Sequence, residues 1–175
     1  MRRILIVGVS GAGKTTLAAN ISRLLQLRFL ATDPLYWKEN WQPVPVERVM
    51  RLVEEHISQD GWVLDGNFEE QRHALWARAD TLIWLDYNLA TVLYRLTLRN
   101  VGWFLRGTTV WSRNRMSFWQ LISSLRHSLR SHHRKKTIYE DFLRDLPGTT
   151  VLRFHTPKET AGWLETVSFC RNGTG

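Results

Sequence analysis

The sequence predicts an α/β domain in which a parallel β-sheet is covered by helices on both faces. Short apolar runs such as "ILIVGV" and "TLIWLDY" alternate with longer amphipathic stretches, which is the pattern of βαβ units. The first of these runs enters a glycine-rich turn, and a helix pattern leaves it. With 175 residues, 43% apolar and 23% charged, the chain is sized for one domain, 1–175, around one core. No repeat, low-complexity tract or proline-rich linker divides it.

Taken in order, residues 2–7 read as a strand, apolar after Arg3 as a strand buried on both faces is. A helix over about 14–27 follows from Leu17, Ala18, Ile21, Leu24 and Leu25 at helical spacing. Next come a short strand at 28–31, a helix over about 46–58, a strand at 62–65, a short helix near 69–77 and a strand at 81–86. The helix over 88–105 starts where Asp86 or Asn88 can cap its free N–H groups. Residues 117–146 carry Phe118, Leu121, Ile122, Leu125 and Leu129 at helical spacing. That helix is expected to break at the polar "SHHRKK" and resume through Tyr139, Phe142 and Leu143. A strand at 149–154 and a helix at 157–168 close the series.

No apolar run approaches the roughly 18 residues that cross a bilayer. The run after Met1-Arg2-Arg3 breaks at Gly8, Ser10, Gly11 and Lys14, unlike a signal peptide. Cys170 is the only cysteine, which rules out an internal disulfide and agrees with a reducing compartment. The expectation is a cytoplasmic protein with no membrane partner, monomeric or homodimeric.

The net charge of +8 sits in one segment. Between Asp86 and Glu140 there is no acidic residue, yet ten bases fall there, among them Arg95, Arg99, Arg106, Arg126 and Arg130, leaving 14 basic against 16 acidic residues elsewhere. A positive field of this kind attracts phosphates, on a nucleotide or a nucleic acid.

"GVSGAGKT", Gly8 to Thr15, matches G-x-x-x-x-G-K-S/T. In such a loop the backbone N–H groups of Gly8, Ser10, Gly11, Ala12 and Gly13 turn inward around a phosphate. Lys14 reaches the β- and γ-oxygens, the Thr15 hydroxyl ligates Mg²⁺, and Thr16 continues the helix N-terminus that faces the anion. ATP and Mg²⁺ are the expected cofactors. Two strand ends compete for the carboxylate on the magnesium side: "TLIWLD" nominates Asp86 and "WVLDGN" nominates Asp65. Asp33, in "ATDPLYW", either starts a turn before Pro34 or accepts a proton from an acceptor hydroxyl.

Arg95, Arg99 and Arg106 fall on one helix face, and arginine's fork suits phosphoryl oxygens. Gly102 and Gly107 with Arg113 and Arg115 read as a basic lid, part of an insertion at about 100–146. Of the nine tryptophans, Trp37, Trp41, Trp103, Trp111 and Trp119 lie in or near loops. Most read as packing residues and the rest as walls for a flat ring. A cleft opposite the glycine-rich loop lined by Asp33, Tyr36 and Trp37 would point to a ring-bearing acceptor.

Together "ILIVGVSGAGKTTLA", "TDPLYWKENWQPVP", "WVLDGNF", "RADTLIWLDYNLATVLYRLTLR" and "TVLRFHTPKETAGWL" resemble the P-loop kinases of the adenylate kinase type, and among them the DNA topology modulation proteins, or adenylate-kinase-related kinases. The resemblance implies a P-loop NTPase three-layer fold with five parallel strands in the order 2-3-1-4-5. It selects Asp65 over Asp86 for magnesium, and it turns one of Arg95 and Arg99 toward the base and the other toward the phosphates. It also sets "HTPKE", with Pro157, beside adenine. Glu69 stands where adenylate kinases place an acceptor-binding arginine, with Arg72 and Arg78 as nearby substitutes. The middle segment lacks those kinases' lid aspartates and zinc-type cysteines.

Two functions are compatible with these residues. The first is a kinase passing the γ-phosphoryl of Mg-ATP to a small-molecule acceptor, with Lys14, Arg99, Asp33, Arg113 and Arg115 as its catalytic residues. The second is a nucleic-acid-associated ATPase gripping backbone and bases with the basic, tryptophan-containing segment 95–136. Convergence of the arginines on the cleft favours the first, and their spread along an outer face favours the second.

Overall fold

Ile4, Leu5, Ile6 and Val7 are sealed from solvent on both sides, so the strand that carries them lies in the middle of the sheet. The computed structural model describes residues 1–144, 146 and 148–172. Asp145, Pro147 and 173–175, all within the expected 1–175 domain, lie outside the described residues, as do the side chains of Arg72, Cys170, Arg171 and Asn172.

The main elements are β1 (Arg3–Gly8), α1 (Lys14–Leu25), β2 (Arg28–Ala31), α2 (Val46–Ile57), β3 (Trp62–Asp65), α3 (Arg72–Trp76), β4 (Thr81–Leu85), α4 (Leu89–Leu105), β5 (Thr109–Val110), β6 (Asn114–Arg115), α5 (Phe118–Leu143), β7 (Thr150–Phe154) and α6 (Pro157–Asn172), with short 3-10 turns at Asp33–Tyr36 and Glu39–Trp41. The sheet order is β2-β3-β1-β4-β7, every pair parallel. This is the expected 2-3-1-4-5, with β7 as the fifth strand of the sheet.

Register decides what the sheet presents at its carboxyl edge. Asp65 pairs with Ile6 on one side and Ala31 on the other, so its side chain ends level with the start of the glycine-rich loop. Ligands in such sheets bind beyond this edge. Alternation along β1 sends Leu5 and Val7 into one core layer with Val49, Trp62, Trp76 and Tyr139. It sends Ile4 and Ile6 into the other, with Leu17, Ile21, Ile83 and Val92.

Three regions differ from the sequence expectation. The helix near 69–77 is only Arg72–Trp76. The basic middle contains an antiparallel hairpin, β5 with β6, too short to show an alternating pattern. And α5 runs through "SHHRKK" without a break. The physical reason is that Ser128, Ser131, His132, Lys135 and Tyr139 recur at helical spacing and are all buried, because polar partners await them. His132 Nε2 meets Tyr87 O at 3.0 Å and Ser128 Oγ donates to Ser10 O at 3.4 Å. Polarity signals a loop only when the polar groups have water as their sole partner. No helix among the described residues is long and apolar enough to cross a membrane.

Candidate active site at the glycine-rich loop

The loop between β1 and α1 has left-handed glycines at Gly11 (φ 87°) and Gly13 (φ 98°). A side chain at either would be strained by that angle, and both positions are crowded. A Cβ on Gly11 would lie 3.0 Å from Val92 O, and one on Gly13 would lie 2.9 Å from Arg95 Nη2. The second figure also locates Arg95: its guanidinium lies against the loop. The loop opens onto the first turn of α1, where Thr15 and Thr16 are exposed and Lys14 is buried, its Nζ donating to Val9 O at 3.2 Å.

The "LDGN" segment after β3 clasps this loop at two points. Thr15 Oγ1 donates to Asp65 Oδ2 at 2.5 Å, and Gly8 N donates to Asn67 Oδ1 at 3.0 Å. Asp65 also receives Thr32 N at 2.8 Å, while Thr32 Oγ1 donates to the Asp65 carbonyl at 2.6 Å. Gly66, at φ 146°, makes the turn possible, since a Cβ there would strike Thr32 Oγ1 at 2.6 Å. Burial pushes the Asp65 carboxyl up, and the hydrogen bonds from Thr15 and Thr32 oppose it. Burial likewise pulls the Lys14 ammonium down, against Asp33 and Asp65, while Lys135 and Arg99 add to the depression.

Asp86 is committed elsewhere. It is buried and receives Arg153 Nε at 3.0 Å and Nη2 at 2.6 Å, with Lys136 Nζ at 3.7 Å and His155 Nδ1 at 3.4 Å. Nor does it cap α4, because Asn88 does so by accepting Thr91 N at 2.8 Å.

Two clefts share the loop as a wall. One, of about 310 Å³, is lined by Lys14, Asp33, Tyr36, Gly66, Asn67 and Glu69 with their neighbours. Its rim is held by α5, since Lys135 Nζ and Arg134 Nη2 each reach Glu69 at 3.0 Å. Burial raises the Tyr36 phenol here, helped by Asp33 and Glu70. The other, of about 630 Å³, runs from Ser10 and Arg99 to Trp37, Trp41, Trp103 and Trp111. Arg99 stacks over Trp103 at 4.7 Å, and burial lowers its pKa while Asp33 raises it. Asp33 therefore acts on Lys14, Arg99 and Tyr36 together, at the junction of the clefts.

The structure thus gathers Gly8, Ser10, Gly11, Ala12, Gly13, Lys14, Thr15, Thr16, Asp33, Asp65, Arg95 and Arg99 around one loop. Asp33 and Tyr36 share the first cleft, while Trp37 belongs to the second. Pro157 opens α6 directly after β7, near Tyr87, whose hydroxyl meets Thr160 Oγ1 at 2.6 Å. Arg113 and Arg115 do not join this group and line an outer cleft with Glu39, Asn40 and Trp41. Arg78 pairs with Glu54 at 2.7 Å. Sequence reading passed over Asn67, visible only as a polar residue after the strand-end glycine, and Lys135, counted merely as charge although its spacing from Ser128, Ser131 and Tyr139 marks an inward face.

A parallel sheet in this order with a glycine-rich loop between its central strand and α1 defines the P-loop NTPase fold in its kinase-like form. A family model described as AAA domain matches residues 4–102, more than half of the chain, and the chain belongs to that family. Among solved structures it is similar to shikimate kinase from Acinetobacter baumannii in complex with shikimate, with a TM-score of 0.56 at 18% identity over 95% of this chain and 90% of that one. At that identity the likeness is one of fold. No curated protein matches the chain.

The residues present fit the two groups expected here. In this loop Gly8 N is already bonded to Asn67 Oδ1 and Ala12 N to Val9 O, contrary to the expectation for those two, which leaves the N–H groups of Ser10, Gly11 and Gly13 to close on phosphate oxygens. The Thr15 hydroxyl and Asp65 carboxylate are hard oxygen donors of the sort that Mg²⁺ takes beside phosphates and water. Among the described residues no group of three or more His, Cys, Asp or Glu could hold a metal ion by itself, so Thr15 and Asp65 would hold Mg²⁺ only together with the nucleotide.

Proposed function

We propose that this protein is an ATP-dependent phosphotransferase that moves the γ-phosphoryl group of Mg-ATP to a hydroxyl of a small-molecule acceptor. The observation that carries this reading is the Thr15–Asp65 contact at the mouth of the loop, with buried Lys14 beside it. Bound Mg²⁺ would supply charge neutralisation on the β- and γ-oxygens. Lys14 and Arg99 stabilise the phosphoryl group in flight, and Asp33, near both, orients the acceptor hydroxyl and takes its proton. The acceptor oxygen bonds to the γ-phosphorus, the bond to the β,γ-bridging oxygen breaks, and its electron pair leaves on ADP. Arg95 and the chain at Pro157 flank the rest of the nucleotide, and Arg113 and Arg115, which line the outer cleft in this structure, would reach the phosphates only if the hairpin swung inward. Resemblance to the DNA topology modulation subgroup, through "DPLYW" and "WVLDGNF", belongs to the same reading, as does a cytoplasmic location.

Calorimetric titration with Mg-ATP tests it, followed by a metabolite screen for ADP formation. Binding by the wild type that Lys14→Ala abolishes is the expected result, and ADP release indifferent to every metabolite would sink the transfer step.

One observation favours a second reading. Arg106, just past the end of α4, and Arg126 and Arg130 on α5 are exposed, where a nucleic-acid-associated ATPase would hold a phosphate backbone. Duplex DNA binding that falls steeply with salt and survives Lys14→Ala would establish it.

A further inference from the structure

The larger cleft is built differently from a packing defect. Trp37, Trp41, Trp111 and Trp103 form a continuous edge-to-face chain, with centroids 5.6, 6.0 and 6.1 Å apart and interplanar angles of 75°, 82° and 76°. Edge-to-face contacts also join Trp76, Tyr139 and Phe142 in the filled core, but here the four rings line an open volume. All four indoles are only half buried, so apolar surface that the core could have absorbed is held against open space. A volume of about 630 Å³ falls within the usual range for small-molecule sites.

The backbone that presents these rings is strained. Asn40 (φ 59°), Trp41 (φ 56°), Trp111 (φ 24°), Ser112 (φ 54°) and Arg113 (φ 62°) all occupy the left-handed region without being glycine. Strain of this kind persists where surrounding contacts over-determine it, and it clusters at functional sites. The contacts are present. Buried Asn114 accepts Trp41 N at 2.7 Å and donates to Lys38 O at 2.8 Å and Trp111 O at 2.6 Å. Ser112 Oγ donates to Trp37 O at 2.6 Å, and Trp41 Nε1 donates to Arg115 O at 3.1 Å. Two loops more than 70 positions apart in the chain are stapled so that four indoles face one space.

One end of that space opens on Ser10 of the glycine-rich loop and on Arg99. Among the described residues no carboxylate lines it, whereas Arg99 and His127 do, so a cationic ligand would find no opposite charge there. We propose that this cleft binds the planar, non-cationic aromatic ring of the phosphoryl acceptor, with the ring's hydroxyl-bearing substituent directed toward Ser10, Arg99 and Asp33. The proposal rests on the phosphotransferase reading and adds the chemical class of the acceptor.

The test uses the full chain labelled with 5-fluorotryptophan and read by ¹⁹F NMR, with resonances assigned by single Trp→Phe substitutions. Benzyl alcohol and cyclohexylmethanol, nearly equal in size and differing in aromaticity, are titrated in parallel, and Mg-ATP binding is measured separately on the same sample. Benzyl alcohol is expected to shift Trp37, Trp41, Trp103 and Trp111 while leaving the core residues Trp62, Trp76 and Trp84 unmoved. It should bind about tenfold tighter than cyclohexylmethanol, and the preference should disappear in Trp103→Ala. Equal responses to the two alcohols, or none from those four resonances while Mg-ATP still binds, overturn the ring site and leave the phosphotransferase reading standing. Benzyl alcohol binding in a protein with no affinity for Mg-ATP overturns the acceptor assignment through that reading's failure.

Discussion

The cleft beside Lys14 is walled by residues 32–36 and 66–71, each a few positions from a strand end. The cleft beside Ser10 is walled by tryptophans from a 3-10 turn, a helix end and a hairpin. In the first, the sheet register itself places the groups, so Asp65 meets Thr15 and Thr32 with little left to chance. In the second, placement depends on side-chain staples across two loops and on backbone angles that cost free energy. The difference teaches that one molecule positions phosphate chemistry by topology and shapes its neighbouring cavity by tertiary contacts.

Lys14→Ala attacks the topological side most directly, and a loss of about 3–4 kcal/mol in kcat/KM, roughly 10²–10³-fold, is expected in an ADP-release assay. Arg99→Ala, in the wall of the tryptophan cleft beside Ser10, should cost at least about 2 kcal/mol in the same measurement. Gly66→Ala would bring a methyl group to 2.6 Å from Thr32 Oγ1 at φ 146°, and urea unfolding should show a loss of about 2–3 kcal/mol. Asn114→Ala strips the staple from the other side, taking the side-chain partner from Trp41 N and Lys38 O, while Trp111 O keeps the backbone N–H of residue 114. A loss of about 1–2 kcal/mol is expected, with hydrogen exchange quickening around 37–41 and 109–115 and not in β1. An equal quickening in β1 would erase the contrast between the two clefts.

The smallest effect concerns His127, at the edge of the tryptophan cleft. Burial lowers its pKa, as do Lys135 and Arg134, while Glu69 opposes them. A histidine with a depressed folded pKa binds its proton more readily unfolded. Its stability contribution is therefore complete above the unfolded value of about 6.5 and is lost as pH falls from there toward the folded value. Thermal melts of His127→Gln should show a shallower decline than wild type across that window. His56, lowered by burial as well, leaves a residual slope in both proteins.

Much of the first cleft was legible in the sequence because its signals are local. The glycine-rich loop is contiguous, and Asp65 ends an apolar strand. The order of the sheet follows from the resemblance carried by those same segments. Lys135 escaped notice because burial of a polar helix face depends on what lies opposite, here Glu69 and the loop. The tryptophan cleft is legible in the sequence only as tryptophans in or near loops, some of them walls for a flat ring, with no sign of which four would meet. Nothing in "WSRNR" states that Asn114 will reach Trp41, since that contact exists only once α4 has turned the chain back. The unbroken α5 was missed for the same reason: its hydrophilic middle meets protein where water was assumed.

That helix has a mechanical consequence. At 26 residues it is a rod about 39 Å long, clamped near its middle by Ser10, Tyr87 and Glu69 and near its end by Tyr139 in the core. A rod clamped there cannot pivot as a whole, so any gate over the site must swing on the short span ahead of it, from Gly102 to Ser117. The hairpin on that span is tied to residues 37–41 by Ser112 and Asn114, so such a swing would carry both loops together against a fixed post, the same helix that touches the glycine-rich loop.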